Sequence, residues 1–301
     1  MVTRHDHIRF RSRDGLTLYG RSYGAPENDR TLLCLPGLTR NCKDFEDTAK
    51  RLTPCWRVLT PDFRGRGLSE WDSKPGRYVL SQYVEDAWVL LDHLGIGTVV
   101  VLGTSLGGLV GIMMAADQPE RLRGLVLNDI GPEIPLAAVK RISRYVRKKG
   151  PVSTWADAVR QDRLQYESSF INVPDEFWED FTRLSWRENE QGLPVPDMDP
   201  AVVATLRRNY LRDRVIQRIR KLTFQPTRAL PFDTWGAFAG CRVPTLLIRG
   251  ALSDVTEESL VQRMLRAKPD MRVIDVPDRG HAPTLDENES IAALYQYLES
   301  L

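Results

Sequence analysis

Short apolar runs alternate with helix-like segments along most of this sequence, and this pattern limits its fold more than any other feature. The runs are rich in Val, Leu and Ile and occupy residues 31–37, 57–62, 98–103, 124–129, 243–250 and 271–277. Strands that are apolar on both faces and separated by helices are typical of a parallel sheet that helices cover on both sides. Before these runs, segments 8–15 and 16–24 meet at an Asp14-Gly15 step, which is typical of a β-hairpin. The sequence therefore predicts an α/β fold.

The alternation stops at Gly131-Pro132, and the segment that interrupts it extends to about Arg228, before the run at 243–250 resumes the alternation. Between these points the residues show mostly helical periodicity and are rich in Trp, Phe and Tyr. We therefore predict an α/β core made of residues 1–131 and 229–301, with an inserted helical segment at 132–228.

The inserted segment has two further features. Residues 132–230 carry 18 Lys and Arg against 13 Asp and Glu, which could attract anionic substrates. The arginines of 207–221 point in many directions around a helix, so solvated helix faces are the simpler interpretation. The Pro/Asp/Gly-rich stretch 191–200 is expected to be disordered. We expect the aromatic side chains mainly to pack inside the segment, and one or two to line an apolar pocket.

Composition excludes several classes of protein. The 42 basic and 40 acidic residues give a net charge of +2, so neither a nucleic-acid partner nor a membrane surface is predicted. The four cysteines form no CxxC pair, and a chain of this length needs no disulfides, so we expect reduced thiols and a cytoplasmic location. The N-terminal residues contain no apolar signal-peptide region, and export is not expected.

Residues 94–116 contain no charged side chain and are long enough to span a membrane. The stretch nevertheless holds six glycines, and its first half contains the β-branched run 98–101. A strand, a tight turn and a buried helix explain this composition better than one membrane helix.

Ser105 lies at the turn within this stretch, in the motif GTSLGG (103–108). A GxSxG match alone is weak, but here a predicted strand ends at Gly103 and a predicted helix begins at Leu106. A nucleophile on such a strained turn needs small neighbours, which Gly103 and Gly107 provide. The helix N-terminus also directs free N–H groups at charge that develops nearby, and we predict the Leu106 N–H as an oxyanion donor.

A serine hydroxyl needs a base, and the chain has four histidines. His5 and His7 lie in the N-terminal arm, where such a pair is more often solvent-facing than metal-binding. His93 is predicted near a helix end, as a packing or terminal residue. His281 is predicted on a loop after the last apolar strand, at the sheet edge where α/β proteins build their sites. His281 is therefore the candidate base.

Two carboxylates could orient that imidazole. Asp254 follows the strand at 243–250 and is the first choice, although it could instead cap the next helix. Asp129 ends the run 124–129, one strand after the serine, and stays open as the alternative acid.

A second oxyanion donor is expected from the loop LPGLTRN (35–41). The backbone N–H of Leu38 would face that of Leu106, and Gly37 would let the chain approach a substrate closely. Pro36-Gly37 is also typical of a simple turn.

Together these residues resemble the α/β-hydrolase superfamily over nearly the whole chain. The matches are GTSLGG (103–108), LPGLTRN (35–41), DFRGRGLS (62–69) and the order Ser105, Asp254, His281. The resemblance implies an eight-stranded, mostly parallel sheet with helices on both faces. It also implies a helical cap formed by the inserted segment, and no metal or organic cofactor. The most similar branch contains esterases, enol-lactonases and carbon–carbon bond hydrolases that act on small carbonyl compounds.

The chain departs from its relatives in places. Leu35-Pro36-Gly37 stands where many relatives have His-Gly, and Thr104 precedes the serine where carbon–carbon hydrolases often have Asn. A serine nucleophile argues against haloalkane dehalogenases and epoxide hydrolases. Asp62 and Arg64 are interpreted as structural.

We therefore expect a serine hydrolase that cleaves a small carboxylic ester or lactone through an acyl-enzyme. Two alternatives remain: a hydrolase of carbon–carbon bonds in β-diketone-like substrates, and a non-catalytic ligand-binding protein on the same fold. The expected partner is a small acyl substrate, with neither nucleic acid nor membrane.

Overall fold

Eight strands form one sheet in a computed structural model that describes residues 5–146, 150–205 and 233–301. The strands of the described chain are β1 (Asp6–Arg11), β2 (Thr17–Tyr23), β3 (Thr31–Leu35), β4 (Arg57–Asp62), β5 (Val99–Thr104), β6 (Leu122–Asn128), β7 (Trp186–Glu188), β8 (Pro194–Pro196), β9 (Thr245–Gly250) and β10 (Arg272–Val276). The main sheet has the order β1-β2-β4-β3-β5-β6-β9-β10. Only the pairs that β2 makes, with β1 and β4, are antiparallel. The predicted α/β fold with a mostly parallel sheet is confirmed.

Helices cover this sheet on both faces. Those described are α1 (Glu46–Leu52), α2 (Leu80–His93), α3 (Leu106–Asp117), α4 (Leu136–Val146), α5 (Trp155–Tyr166), α6 (Asp175–Ser185), α7 (Thr234–Ala239), α8 (Glu258–Ala267) and α9 (Asn288–Glu299). Strand β3 is buried along its whole length. Its Leu33 and Leu35 pack in a cluster with α2 and α3, whereas Leu32 and Cys34 pack with α1 and α9 on the other face. Side chains alternate between the faces of a strand, so a fully apolar strand can fill both layers.

The hairpin at Asp14-Gly15 forms as predicted. Strands β1 and β2 pair antiparallel, and Gly15 has a φ of 93°. Glycine adopts this left-handed conformation without the steric cost that a Cβ imposes.

The stretch 94–116 forms β5, a turn and α3. Within the described ranges, no helix has the length and apolar content needed to cross a membrane.

Between β6 and β9, the described residues add no strand to the main sheet. They form helices α4 to α7 and a small antiparallel pair, β7 with β8. Four aromatic side chains from α5, α6 and the loop between them pack into one buried cluster: Tyr166, Phe170, Trp178 and Phe181. Residues 206–232, which include the arginine-rich 207–221 and the predicted end of the inserted segment at 228, lie outside the described residues. The division into core and inserted segment therefore stays a prediction.

The expectation that residues 191–200 are disordered is wrong. Residues Pro194–Pro196 form β8, and the side chains of Asp197 and Asp199 are buried. Asp197 accepts a hydrogen bond from Asn41 Nδ2 (3.3 Å), and Asp199 accepts one from the Tyr78 hydroxyl (2.6 Å). These partners are far away in sequence, so local composition carried no sign of them.

The motif DFRGRGLS contains a buried charge network. The Arg64 side chain is fully buried and pairs with Asp14, Asp72 and Asp86, while Asp62 accepts backbone N–H groups that include that of Cys42. Hydrogen bonds from Arg64 hold the pKa of Asp14 well below its usual range, and burial raises the pKa of Asp86. Asp62 and Arg64 thus make the structural contacts that the sequence predicted.

Candidate active site

Ser105 lies on a sharp turn between β5 and α3. Its φ is 52°, a left-handed conformation that is costly for a residue with a side chain. A Cβ on Gly103 would lie 2.3 Å from the backbone carbon of Gly107, and one on Gly107 would lie 2.1 Å from the Leu35 carbonyl oxygen. The close approach of strand and helix therefore requires glycine at both positions, as predicted, and exposes the serine at the sheet edge.

His281 lies beside this serine, on the loop that follows β10. Its Nε2 is 2.9 Å from Ser105 Oγ, and its Nδ1 is 2.7 Å from Asp129 Oδ2. With the ring proton on Nδ1, the imidazole donates to the carboxylate and accepts from the serine hydroxyl. The structure therefore brings together Ser105, His281 and Asp129, the acid kept open as the alternative.

Asp129 directly follows β6 and is fully buried. Besides the imidazole, its oxygens accept hydrogen bonds from the Gly250 N–H (3.0 Å), from Ser253 Oγ (2.6 Å) and from Thr256 Oγ1. A buried carboxylate is tolerated when its acceptor sites are filled in this way. The turn after β9 therefore holds Asp129 in place against His281.

Asp254, the first choice for the acid, is not at this site. Its carboxylate binds the guanidinium of Arg141 on α4, with two nitrogen–oxygen distances of 2.6 Å, and 45% of its side chain is exposed. The reason is local. Asp254 lies in the turn after β9, but the flanking hydroxyls of Ser253 and Thr256 turn towards Asp129 while Asp254 faces α4. The hydroxyl residues on both sides of Asp254 were a signal that the sequence analysis missed. They indicate that this turn donates hydrogen bonds to a carboxylate from another strand, here Asp129.

Asn128 joins the two halves of the site, and sequence reasoning missed it. Its Nδ2 donates to Thr104 Oγ1 (3.1 Å) and to the Pro283 carbonyl (2.9 Å). Its backbone carbonyl accepts a hydrogen bond from the Ser105 N–H (3.1 Å). Asn128 therefore fixes the serine turn and the His281 loop relative to each other.

The loop at 35–41 borders the serine. A Cβ on Gly37 would lie 3.9 Å from Ser105 Cβ, so the two residues are close neighbours. Leu106 begins α3, where the first N–H groups have no partner within the helix. In the part of the chain that the structure describes, neither the Leu38 nor the Leu106 N–H donates to another protein group. Both donors named from the sequence therefore remain available.

Side chains of the same loop contact the C-terminal end of α6. Asn41 Nδ2 donates to the Leu184 carbonyl (2.9 Å), and Arg40 Nη1 donates to the Phe181 carbonyl (3.4 Å). The Arg40 guanidinium also binds Asp44 through two nitrogens, at 2.8 and 2.7 Å. Helix α6 is thus attached directly to a loop that borders Ser105.

The other histidines lie elsewhere. His7 Nδ1 is 2.6 Å from the Tyr19 hydroxyl, His5 packs against His7, and His93 stacks on Phe10. The described ranges contain no cluster of side chains suited to hold a metal ion.

Comparison with known proteins gives consistent results. The model of the alpha/beta hydrolase family matches residues 32–294. The 3-hydroxybutyrate-oligomer hydrolase of Cupriavidus necator is 32% identical over 277 residues, which cover 91% of this chain and 90% of that protein. The 2-(acetamidomethylene)succinate hydrolase of Mesorhizobium japonicum is 24% identical over 250 residues, covering 83% and 81%. The chain also superposes on a crystal structure of an alpha/beta hydrolase from Novosphingobium aromaticivorans. The match covers 100% of each chain, with a TM-score of 0.86 and 34% sequence identity.

Proposed function

The chain belongs to the α/β-hydrolase family and is an enzyme, and from this premise we propose that it is a serine hydrolase of small carboxylic esters. Ser105 is the nucleophile, His281 the general base, and Asp129 the acid that orients the imidazole. The observation that carries the proposal is the continuous line of hydrogen bonds from Ser105 Oγ through His281 to Asp129. A nucleophile, a base and an orienting group in hydrogen-bond contact are the arrangement that acyl transfer requires.

The reaction proceeds in two halves. His281 removes the hydroxyl proton as Ser105 Oγ attacks the ester carbonyl, and the resulting oxyanion accepts hydrogen bonds from the Leu38 and Leu106 N–H groups. Asp129 holds the imidazole in the productive tautomer and stabilises its protonated form. His281 then gives the proton to the departing alcohol. A water molecule, deprotonated by the same base, attacks the acyl-enzyme and releases the acid and free Ser105.

The substrate class follows from the relatives. A 3-hydroxybutyrate oligomer is a chain of hydroxy acids joined by ester bonds, and the hydrolase named for it aligns with nearly all of this chain. We therefore propose short esters of 3-hydroxy acids as substrates. Thr104 before the serine, where carbon–carbon hydrolases often have Asn, argues against cleavage of β-diketones. The inserted segment is proposed to act as the cap that selects the acyl group.

The test is a substrate panel: the linear dimer of 3-hydroxybutyrate, p-nitrophenyl butyrate, a δ-lactone and a β-diketone. We expect turnover of the dimer and the p-nitrophenyl ester. Ser105→Ala should lower kcat on the order of 10⁴-fold or more, with the melting temperature unchanged, because the nucleophile is lost and the fold is kept. Ser81→Ala, which removes an exposed hydroxyl on α2, is the matched control and should keep full activity.

A fluorophosphonate probe separates catalysis from simple binding. The probe should label the wild type and the Ser81→Ala variant but not Ser105→Ala. Esterase activity or labelling that survives in Ser105→Ala would contradict the proposal. Cleavage of the β-diketone alone would replace ester hydrolysis with carbon–carbon hydrolysis. A chain that neither reacts with the probe nor turns over any substrate of the panel would contradict the proposal and favour the ligand-binding alternative.

A further inference from the structure

Arg66, in the loop after β4, is a fully buried cation that no carboxylate balances among the residues the structure describes. Its Nε donates to the Leu38 carbonyl (3.0 Å), and its Nη1 donates to the Arg64 carbonyl (2.7 Å) and the Tyr83 hydroxyl (2.8 Å). Its Nη2 is buried and has no hydrogen-bond partner within the described chain. Arg64, equally buried, pairs with three aspartates. Of these two buried arginines, Arg66 is therefore the one that forms no ion pair with a described residue.

The surroundings of this guanidinium would suit an apolar side chain. Its carbon lies 4.9 Å from the ring centre of Tyr83 and 5.9 Å from those of Phe63 and Tyr78. Aromatic faces attract a cation, but they replace only part of the hydration that a buried charge loses. An apolar residue of similar volume would fill this space without the cost of desolvating a charge, but it would leave three buried acceptors without a donor. A function that uses the charge would account for the arginine.

The position of Arg66 indicates that function. Arg66 Nε donates to the carbonyl of Leu38. In the proposed reaction, the N–H of this same residue donates to the oxyanion. Gly37, beside it, neighbours Ser105. A hydrogen bond from a fixed guanidinium restrains this loop, and thus the direction of the Leu38 N–H. A positive charge in low-dielectric surroundings also favours negative charge that develops nearby.

We propose that Arg66 is a positioning residue for the oxyanion hole. It holds the Leu38 loop through Nε, and its unbalanced charge stabilises the tetrahedral intermediate relative to the neutral ester. This inference rests on the proposed serine hydrolase function. Because Arg66 is proposed to act through Leu38 and not on the substrate itself, it should affect kcat and leave substrate binding largely unchanged.

The test compares Arg66→Met and Arg66→Lys with the wild type on p-nitrophenyl butyrate. Methionine fills a similar volume without charge but removes three hydrogen bonds, so we expect a folded protein with a somewhat lower melting temperature than the wild type. Its kcat should fall on the order of 10-fold to 100-fold, while KM changes by less than about 3-fold. Lysine keeps the charge but not the planar fork, and its kcat should lie between those of Arg66→Met and the wild type.

Butylboronic acid supplies a second measurement. It forms a bond from boron to Ser105 Oγ, the serine proton passes to His281, and boron becomes a tetrahedral anion that resembles the intermediate. Its inhibition constant should rise in Arg66→Met by about the same factor by which kcat falls, because both report on the same charge. A merely structural role for Arg66 would not produce this correlation.

Arg121→Met is the matched control. Arg121 also packs on an aromatic ring, that of Trp88 (4.7 Å), and caps the backbone carbonyls of Ile96 and Gly97, yet it pairs with Asp92. Its replacement should leave kcat and boronic acid affinity unchanged.

Three outcomes would overturn the inference: an unchanged kcat in Arg66→Met, an unchanged boronic acid affinity, or a change in KM alone. If Arg66→Met does not fold, Arg66→Lys tests the inference. A wild-type kcat and a wild-type boronic acid affinity in Arg66→Lys would contradict the proposal that the planar guanidinium positions the Leu38 loop. A wild type that resists the fluorophosphonate probe would instead contradict the proposed function itself.

Discussion

At the scale of single residues, the serine turn depends on a backbone contact that leaves no room for a methyl group. Strand β5 and helix α3 meet at Gly103 and Gly107. The contact is between backbone atoms, which cannot move aside as the end of a flexible side chain can.

Gly103→Ala tests this contact. The new Cβ would lie 2.3 to 2.4 Å from three backbone atoms of Gly107 and Gly108, so the strand and helix would have to separate. We expect a loss of about 1–3 kcal/mol or more in the free energy of unfolding, measured by urea denaturation, together with slower labelling of Ser105 by a fluorophosphonate.

Gly97→Ala is the control for this substitution. Apart from the glycine and its two chain neighbours, no atom of the described residues lies within 4 Å of the position of its Cβ, and its φ is not left-handed. Its stability should therefore equal or slightly exceed that of the wild type. A Gly103→Ala variant as stable as Gly97→Ala would show that the turn has more room than the contact distances indicate.

The sequence predicted some of these residues and missed others. Ser105 stands out because its motif falls between a strand and a helix, and His281 because the chain has only four histidines. The acid was harder to identify, since Asp129 and Asp254 both follow strands that end at the same sheet edge. Contacts distant in sequence decide between them: Thr256 Oγ1 with Asp129, and Arg141 with Asp254.

At the scale of structural elements, one buried side chain, that of Asn41, forms hydrogen bonds with both the 3₁₀ helix Cys42–Phe45 and helix α6. Asn41 Oδ1 caps the 3₁₀ helix by accepting the Lys43 N–H (3.1 Å), and its Nδ2 donates to the Leu184 carbonyl near the end of α6. The Asn41 amide is thus one of the groups that connect the loop beside Ser105 to α6.

Asn41→Ala should weaken this connection. The loss of the cap and of the bond to Leu184 should lower the free energy of unfolding by about 1–2 kcal/mol. Hydrogen exchange should speed up at the C-terminal end of α6, while the amides of β5 stay protected, because the sheet does not depend on Asn41. Hydrogen exchange followed by mass spectrometry measures both regions.

Asn28→Ala provides the comparison, since among the described residues the Asn28 side chain bonds only its local neighbour, the Arg30 N–H (3.0 Å). It should leave exchange in α6 unchanged. Equal exchange at α6 in Asn41→Ala and the wild type would mean that the segment is held by other contacts, such as the one from Arg40.

Periodicity predicted the strands of the main sheet well, because central strands such as β3 and β5 are almost entirely apolar and β1 alternates between exposed and buried side chains. It failed for the pair of β7 and β8. Each of these strands has only three residues, and β8 begins and ends with proline, so its local composition resembles that of a disordered stretch. Its order comes from β7 and from the side chains that bind Asp197 and Asp199.

At the scale of the whole molecule, the candidate site is assembled by the sheet. Ser105 follows β5, Asp129 follows β6, and His281 follows β10. Parallel strands end at one edge, so residues separated by as many as 176 positions in the chain come within hydrogen-bond distance. The order of the strands could be inferred from the sequence only through the family resemblance, since periodicity alone does not say which strands are neighbours.

The most specific consequence of this assembly is that Asp129, and not Asp254, lies against the His281 imidazole. Asp129 has its carboxylate on the imidazole, whereas Asp254 is half exposed and joins α4 through Arg141. An exposed ion pair contributes only about 0–1 kcal/mol to stability. The two aspartates therefore form a matched pair of test sites, in which the same substitution should have very different effects.

The most direct test of the proposed triad compares Asp129→Asn with Asp254→Asn, by kcat/KM on p-nitrophenyl butyrate. Asparagine keeps the shape of the side chain but cannot hold the imidazole in its productive tautomer, so Asp129→Asn should lose on the order of 10⁴-fold in kcat/KM. Asp254→Asn should stay within about 3-fold of the wild type, as expected for loss of an exposed ion pair. Near-normal activity in Asp129→Asn, with the large loss in Asp254→Asn, would contradict the account.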